Sequence, residues 1–351
     1  MLRPASTTRL VEETAVPDIV STAKPRVLSG ITATGKLHIG HYIGALSVWA
    51  DEQDRFENFF FIADLHALTD PESVRADQLR ERIREIAALY LACGLDVAKS
   101  VLFLQSRVPA HATLCWIFDC VTPVGWLERM TQYKAKSERV SPSAGLLTYP
   151  ALMAADILLY QANYVPVGDD QRQHVELTRD IAQRFNHLFG EAFVLPQAMI
   201  RASGARIMAL DDPAAKMSKS AAQVRDGHAI GLLDRPATIR RAIMRAVTDS
   251  RSEVSPEDLS AGVQNLLVLF EVLSGTSRAD TLRQFAGQRY GVLKKAVAEV
   301  AIDHVRGIQA RYSQIRADDS YLDSILAAGA ERASAVADRT LRTAMRLTGL
   351  A

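Results

Sequence analysis

Arg26-Val27-Leu28-Ser29-Gly30-Ile31-Thr32-Ala33-Thr34-Gly35-Lys36-Leu37-His38-Ile39-Gly40-His41 is the stretch on which the reading of the fold turns. Arg26 to Ser29 read as a short strand that breaks at Gly30, a loop runs to Gly35, and a helix is expected from near Leu37 to near Ala50. The start of such a helix offers free N–H groups and a positive dipole end to an anion. His38 and His41 are three apart and share one helix face, where both rings could donate to phosphate oxygens. Gly40 between them leaves room for a flat base against the backbone. A glycine-rich turn alone is a weak signal, and a histidine pair at this spacing is more often a surface or capping pair.

Outward from this unit the pattern repeats. Phe59 to Ala63 read as a buried strand closed by Asp64, residues 74–93 as an amphipathic helix stopped by Gly94, and Val101 to Gln105 as a third strand. Helices are expected at 111–120 and 150–161, a fourth strand at Tyr164 to Val167, and a polar helix from about 170 to 188. This alternation predicts an α/β fold, a parallel sheet with helices on both faces. After about residue 222 strand signals vanish, and 236–247, 256–274, 278–286, 290–315, 319–329 and 331–348 all read as helix. The expected organisation is an N-terminal extension over 1–23, a sheet domain over 24–222 and an all-helical domain over 223–351. Open parallel sheets take ligands at the carboxyl ends of their strands. Three segments fall there: Gly30 to His41, Asp64-Leu65-His66, and Gly168-Asp169-Asp170-Gln171.

Composition bounds the reading. With 351 residues and 48% apolar content the chain can bury a sizeable core, and its net charge of +1 gives no global pull toward nucleic acid. Cys93, Cys115 and Cys120 have no CxxC spacing, so neither a disulfide framework nor a zinc site is expected, and a reducing cytosol fits. No apolar run reaches the roughly 18 residues of a membrane span. Glu12, Glu13 and Asp18 in the first 23 residues argue against an organelle-targeting peptide and for a frayed extension.

A second segment, Lys216-Met217-Ser218-Lys219-Ser220 after Asp211-Asp212-Pro213, puts two lysines and two serines on a short loop that could clamp a polyphosphate. A solvated basic loop would look the same. Together and in this order, with an α/β core between them, the His-Ile-Gly-His and Lys-Met-Ser-Lys-Ser segments resemble the two signature motifs of class I aminoacyl-tRNA synthetases. The resemblance implies a Rossmann-type catalytic domain with a helical insert. Gly145–Tyr160 (GLLTYPALMAADILLY) resembles the amino-acid pocket helix of bacterial tryptophanyl-tRNA synthetases. Gly125–Gln132 (GWLERMTQ), Val165–Gln171 (VPVGDDQ), Gly204–Met208 (GARIM) and Ala246–Ser250 (AVTDS) resemble the same family, from about Leu28 to the C-terminus.

The family implies ATP, Mg²⁺, L-tryptophan and tRNA(Trp) as the chemical partners, a homodimer, and a cytoplasmic ligase. His38, His41, Lys136, Lys216 and Lys219 would surround the phosphates; Lys136 has an exposed charged loop as its rival reading. ATP would also meet Thr32, Ala33, Thr34, Gly40, Gly168, Asp169, Asp170, Met217, Ser218 and Ser220, with adenine at the Ile207 backbone beside Arg206. Tyr149 and Gln171 would hold the substrate ammonium, Asp170 would accept from ribose or ammonium, and Met153, Val165, Val167 and His66 would shape the pocket. Asp156 lies in an otherwise apolar helix, where a carboxylate needs a partner. An indole N–H is a donor without acceptor character and suits it. An internal pair or cap is the alternative. Arg235, Arg240, Arg241, Arg245 and Arg251 form a local basic cluster on the helical domain that would read the anticodon, against a solvated helix face as the plainer reading.

Three departures stand out. His41 replaces a common asparagine, where both residue types can donate to phosphate but only a histidine can titrate near neutral pH; Thr32-Ala33 stand where Gln-Pro is common; and Ala221-Ala222-Gln223 replace Asp-Pro-Asn. They suggest a divergent, auxiliary form with altered sensitivity to indole-like inhibitors. The rival readings are a tyrosine enzyme, a nucleotidyltransferase acting on a small acid without tRNA, and a regulatory paralogue without charging activity.

Overall fold

The computed structural model describes residues 24–137, 143–200 and 207–351, apart from the side chains of Ser73, Ala135, Lys136, Ser220 and Gln223. Strand β1 (Arg26–Thr32) leads into α1 (Ile39–His41), a π-helical turn (Tyr42–Leu46) and α2 (Ser47–Glu52). Strand β2 (Glu57–Ala63), α3 (Ala76–Ala92) and β3 (Ser100–Leu104) follow. Next come α4 (Ala110–Val121), α5 (Val124–Glu128), α6 (Thr131–Ser137), α7 (Ala144–Leu159), β4 (Tyr164–Pro166), α8 (Arg172–Phe189) and β5 (Gln197–Met199). The rest is helical: α9 (Lys219–Val224), α10 (Pro236–Arg245), α11 (Ala261–Ser274), α12 (Arg278–Phe285), α13 (Tyr290–Arg316) and α14 (Asp319–Thr348). The sheet is parallel throughout, in the order β3-β2-β1-β4-β5.

The strands are apolar because both faces are covered. Phe59, Phe61 and Phe103 pack against α4 and α7, while Phe60, Ile62 and Leu102 pack against α3. A third cluster joins α10, α11 and α13 to Ile39, Ile43 and Met217, so the helical region packs directly on both nucleotide motifs.

Several boundaries differ from the expected ones for identifiable reasons. β1 does not break at Gly30 but runs to Thr32; a Cβ at Gly30 would lie 2.6 Å from the Phe61 ring, so the glycine serves packing between paired strands. α7 starts six residues before Pro150, capped by Ser143, whose hydroxyl accepts from the Leu146 N–H at 3.1 Å. β5 was not expected: it has three residues and only one neighbour, β4, too short for a periodicity to register. The helices expected at 319–329 and 331–348 are one helix, α14.

The cause of that last difference is Gly329. A Cβ there would stand 1.7 Å from the carbonyl oxygen of Leu102 on edge strand β3. Ala330, Ala333, Ala337 and Ala344 continue a strip of small buried residues along α14, so the helix backbone lies flush on the sheet and covers its edge. No helix among the described residues is long and apolar enough to cross a membrane. Gly329→Ala should destabilise the fold by about 1–3 kcal/mol or more through overpacking. Gly307→Ala, inside α13 with only the Arg311 guanidinium 3.9 Å from the added carbon, should instead be neutral or stabilise by about 0.5–1 kcal/mol. Thermal unfolding of the two variants measures the difference, and equal midpoints would contradict the flush packing.

Candidate active site

The strand order changes direction between β1 and β4: from β1 the chain builds outward to β2 and β3, then returns to lay β4 on the other side. That switch opens a crevice at the carboxyl ends of the two strands. Thr32 ends β1 on one wall, and its carbonyl accepts the Thr34 N–H at 2.8 Å; Ala33 is buried. Val167, Gly168 and a single turn of 3₁₀-helix, Asp169–Gln171, follow β4 on the other.

His38 is the N-cap of α1 with extended backbone, is 4% exposed, and packs against His41 with ring centroids 3.8 Å apart and the ring planes tilted by 53°. The His38 N–H donates to His41 Nδ1 at 3.3 Å, which leaves the proton of a neutral His41 on Nε2. Burial, reinforced by the charge of Lys219, pushes His38 down to about 3; burial and the neighbouring His38 push His41 to about 2. Both rings are therefore neutral at physiological pH, and the charge change that a histidine at 41 could offer near neutrality is shifted well below it. Neither ring nitrogen of His38 has a hydrogen-bond partner among the described residues. A Cβ on Gly40 would meet His38 Nδ1 at 3.0 Å and Met217 Sδ at 3.7 Å, so those two side chains cover the surface that this glycine opens.

The lysine loop closes over this helix end. Lys219 Nζ donates to the Thr32 carbonyl at 3.0 Å, and burial draws its pKa down to about 7. Lys216 Nζ pairs with Asp170 Oδ1 at 2.9 Å, half-exposed, and Gln171 Nε2 donates to Asp170 Oδ2 at 3.1 Å. Burial alone would raise the Asp170 carboxyl, but these two bonds hold it below the usual range. Gly168 makes room for the pair, since a Cβ would sit 2.7 Å from Asp170 Oδ1. Met217 is buried with its N–H on the Ile207 carbonyl at 3.3 Å, and Ser218 caps α9. Lys136 and Ser220 lie on α6 and α9, but their side chains, and all of Arg206, fall outside the described residues.

The second half of the crevice centres on Asp156, which is fully buried. Its Oδ1 accepts from Gln105 Nε2 at 2.7 Å and His111 Nδ1 at 2.6 Å, and its Oδ2 from His66 Nε2 at 2.8 Å. With the His111 proton on Nδ1, Nε2 accepts the Tyr160 hydroxyl at 2.9 Å. Burial pushes the Asp156 carboxyl up, yet the bonds from His111 and His66 outweigh it and hold the pKa at about 2. Tyr149 and Met153 project from the same helix face, α7. The Tyr149 hydroxyl lies 2.8 Å from His174 Nε2, and its ring stands edge-on to His66 at 6.2 Å. Val165 is buried at the foot of this space, with Val167 half-buried beside it.

Sequence reasoning named Asp156 and His66 but missed Gln105, His111 and His174, along with Asp211 and His228 under the lysine loop. One signal was available: His111, like Asp156, is a titratable residue on a buried face of a strongly apolar helix. The expected basic cluster is largely neutralised. Arg240 pairs with Glu299 at 2.7 Å, Arg241 and Arg245 face Asp226 at 3.8 Å, and Arg251 binds Asp249 at 2.9 Å and Asp258 at 2.5 Å.

Comparison with known proteins identifies the family. A sequence model described as tRNA synthetases class I (W and Y) matches residues 21–306. A tryptophan–tRNA ligase of Wolinella succinogenes is 46% identical over 332 residues, covering 93% of this chain and 99% of that protein. The crystal structure of tryptophanyl-tRNA synthetase from Mycoplasma pneumoniae superposes with a TM-score of 0.84 at 35% identity, over 93% of this chain and 98% of that one. That from Campylobacter jejuni, complexed with ADP and tryptophan, gives 0.80 at 35% identity, over 93% and 100%. The chain belongs to the class I tRNA synthetases of the tryptophan and tyrosine family.

Proposed function

We propose that the protein is a tryptophan–tRNA ligase: it condenses L-tryptophan with ATP to tryptophanyl-adenylate and pyrophosphate, then esterifies tRNA(Trp). The observation that carries the reading is the reach of Lys219 Nζ to Thr32, which brings the second motif onto the first at the sheet's switch point. The ADP- and tryptophan-bound C. jejuni relative supports the same two ligands for this crevice.

The tryptophan carboxylate attacks the α-phosphorus in line and pyrophosphate leaves, so no protein nucleophile is required. Positioning and neutralisation of developing negative charge carry the catalysis. Lys216 and Lys219 would move from Asp170 and Thr32 to the β- and γ-phosphates, with Lys136 as a third cation, while neutral His38 and His41 donate without adding charge. Adenine would meet the Ile207 backbone. Mg²⁺ would arrive on the phosphates and neutralise part of their charge.

Asp156 would read the indole. A carboxylate offers about four acceptor positions, so three internal donors leave one for an indole N–H. The internal bonds and a role as substrate acceptor are compatible. Val165, Val167 and Met153 would wall the ring, and Tyr149 and Gln171 would face the ammonium. The extension over 1–23, the catalytic unit over 24–222 and the anticodon-reading unit over 223–351 complete the proposal, in a cytoplasmic homodimer. Trp116 on α4, at 69% exposure, and Val124 at the start of α5, at 57%, are large apolar side chains open to solvent that a dimer contact would cover.

Exchange of labelled pyrophosphate into ATP should depend on tryptophan and not on tyrosine, and the product should charge tRNA. Equal exchange with tyrosine would overturn the reading. Asp156→Asn should raise the tryptophan KM about tenfold or more, with the ATP KM changed less than about twofold. Because a depressed lysine loses its charge as pH rises through its pKa, kcat/KM for ATP should decline above about pH 7, and Lys219→Arg should flatten that decline. A wild-type profile flat to about pH 9 contradicts the assignment. Trp116→Asp should shift the protein toward monomer in sedimentation at micromolar concentration; an unchanged sedimentation coefficient rules that surface out.

A further inference from the structure

The segment His228–Leu232 touches both nucleotide motifs. On one side the Ile39 N–H donates to the Ile230 carbonyl at 2.8 Å, the Leu232 N–H donates to the Leu37 carbonyl at 3.0 Å, and His38 bridges Gly231. These bonds fix the segment to the helix end that carries the histidines. On the other side the buried ring of His228 accepts the Ser218 N–H at Nε2, 3.3 Å away, in the middle of the lysine loop. Because Nε2 accepts, the proton sits on Nδ1, which donates to Asp211 Oδ1 at 2.7 Å. Asp211 is held in turn by Arg225 at 2.9 Å through its other oxygen, and the His228 carbonyl accepts the Leu210 N–H at 3.1 Å. The two residues that flank the loop are thus tied to each other and to its central amide.

We infer that Asp211 and His228 form a latch that positions the lysine loop over the first motif: Asp211 fixes the histidine tautomer, and His228 Nε2 holds the Ser218 amide so that Lys216 and Lys219 stay within reach of the crevice. His228 touches no reacting atom and is a positioning residue. The geometry favours this role over simple core filling. Its two ring nitrogens are spent on two different partners, and only one of them belongs to the loop. This inference rests on the reading of the crevice as an ATP site.

Two substitutions separate the halves of the latch. In His228→Gln the side-chain carbonyl can stand near the position of Nε2 and keep the loop bond while losing the donor to Asp211. In His228→Asn the amide can stand near the position of Nδ1 and keep Asp211 while losing the loop. Pyrophosphate exchange by the full chain, with ATP and tryptophan varied separately, and thermal unfolding are the measurements. His228→Asn should raise the ATP KM about three- to tenfold with the tryptophan KM unchanged, and His228→Gln should stay within about twofold of wild type for both. Asp211→Asn should fall between them. An unchanged ATP KM in His228→Asn overturns the latch, as does an equal rise in both KM values that tracks a lowered unfolding temperature in all three variants. Absence of tryptophan-dependent exchange in the wild-type protein would overturn the ATP reading instead.

Discussion

A carboxylate buried without water has to be surrounded by donors, and Asp156 imposes that requirement on four separate parts of the chain. Its oxygens draw His66 from the turn after β2, Gln105 from the end of β3 and His111 from α4 to a single point on α7. Removing any one donor would leave a share of a buried charge unmatched, at about 1–3 kcal/mol. The acid therefore aligns the carboxyl ends of two strands with two helices that cover them. It is held ionised by the same bonds, so it can accept but not donate. A floor of that kind rewards a substrate that brings a donor and penalises one that does not.

How much of this was legible follows from what each residue has to do. The alternation of apolar runs and amphipathic segments is dictated by burial on both faces of a parallel sheet, so strands such as Phe59 to Ala63 and the class of fold could be read directly. Asp156 was legible for the opposite reason, as a charge where none belongs. Pro150 and Gly329 misled because each is a breaker in isolation and neither breaks its helix here. Pro150 falls on the seventh residue of a helix whose start is set by Ser143, and Gly329 exists for the approach of α14 to the Leu102 carbonyl. Those causes lie in partners far away in sequence, and no local pattern encodes them. The partners of Asp156 were illegible in the same way: Gln105 and His111 look ordinary until the fold brings them within 2.7 Å of the acid.

The two signature motifs illustrate the distance problem at its widest. Lys219 meets the carbonyl of Thr32 across 187 residues, and the contact depends on a histidine and an aspartate that neither motif contains. Motif spelling shows which side chains are on offer. It does not show what holds them. The helical region that follows is therefore part of the active-site scaffold: Ile230 and Leu232 bond the first motif, and Met217 is buried in a cluster with Ile239, Leu266 and Leu293.

This bears on His41, where the sequence suggested a departure from the family's common asparagine. A histidine in place of asparagine at 41 suggests, from side-chain chemistry alone, a group that gains charge near neutral pH. Burial against His38 removes that option, because a second positive charge would have to form beside another imidazole, close to Lys219 and away from water. What remains is a neutral ring that accepts the His38 N–H at Nδ1 and presents Nε2–H. An asparagine can offer the same pair of roles, an oxygen that accepts and an amide that donates. The substitution is thus close to neutral in charge and hydrogen bonding, and what it adds is a flat ring packed at a tilt against His38. Any functional divergence at this end of the crevice is then a matter of shape and of the shorter Thr32, and not of proton transfer.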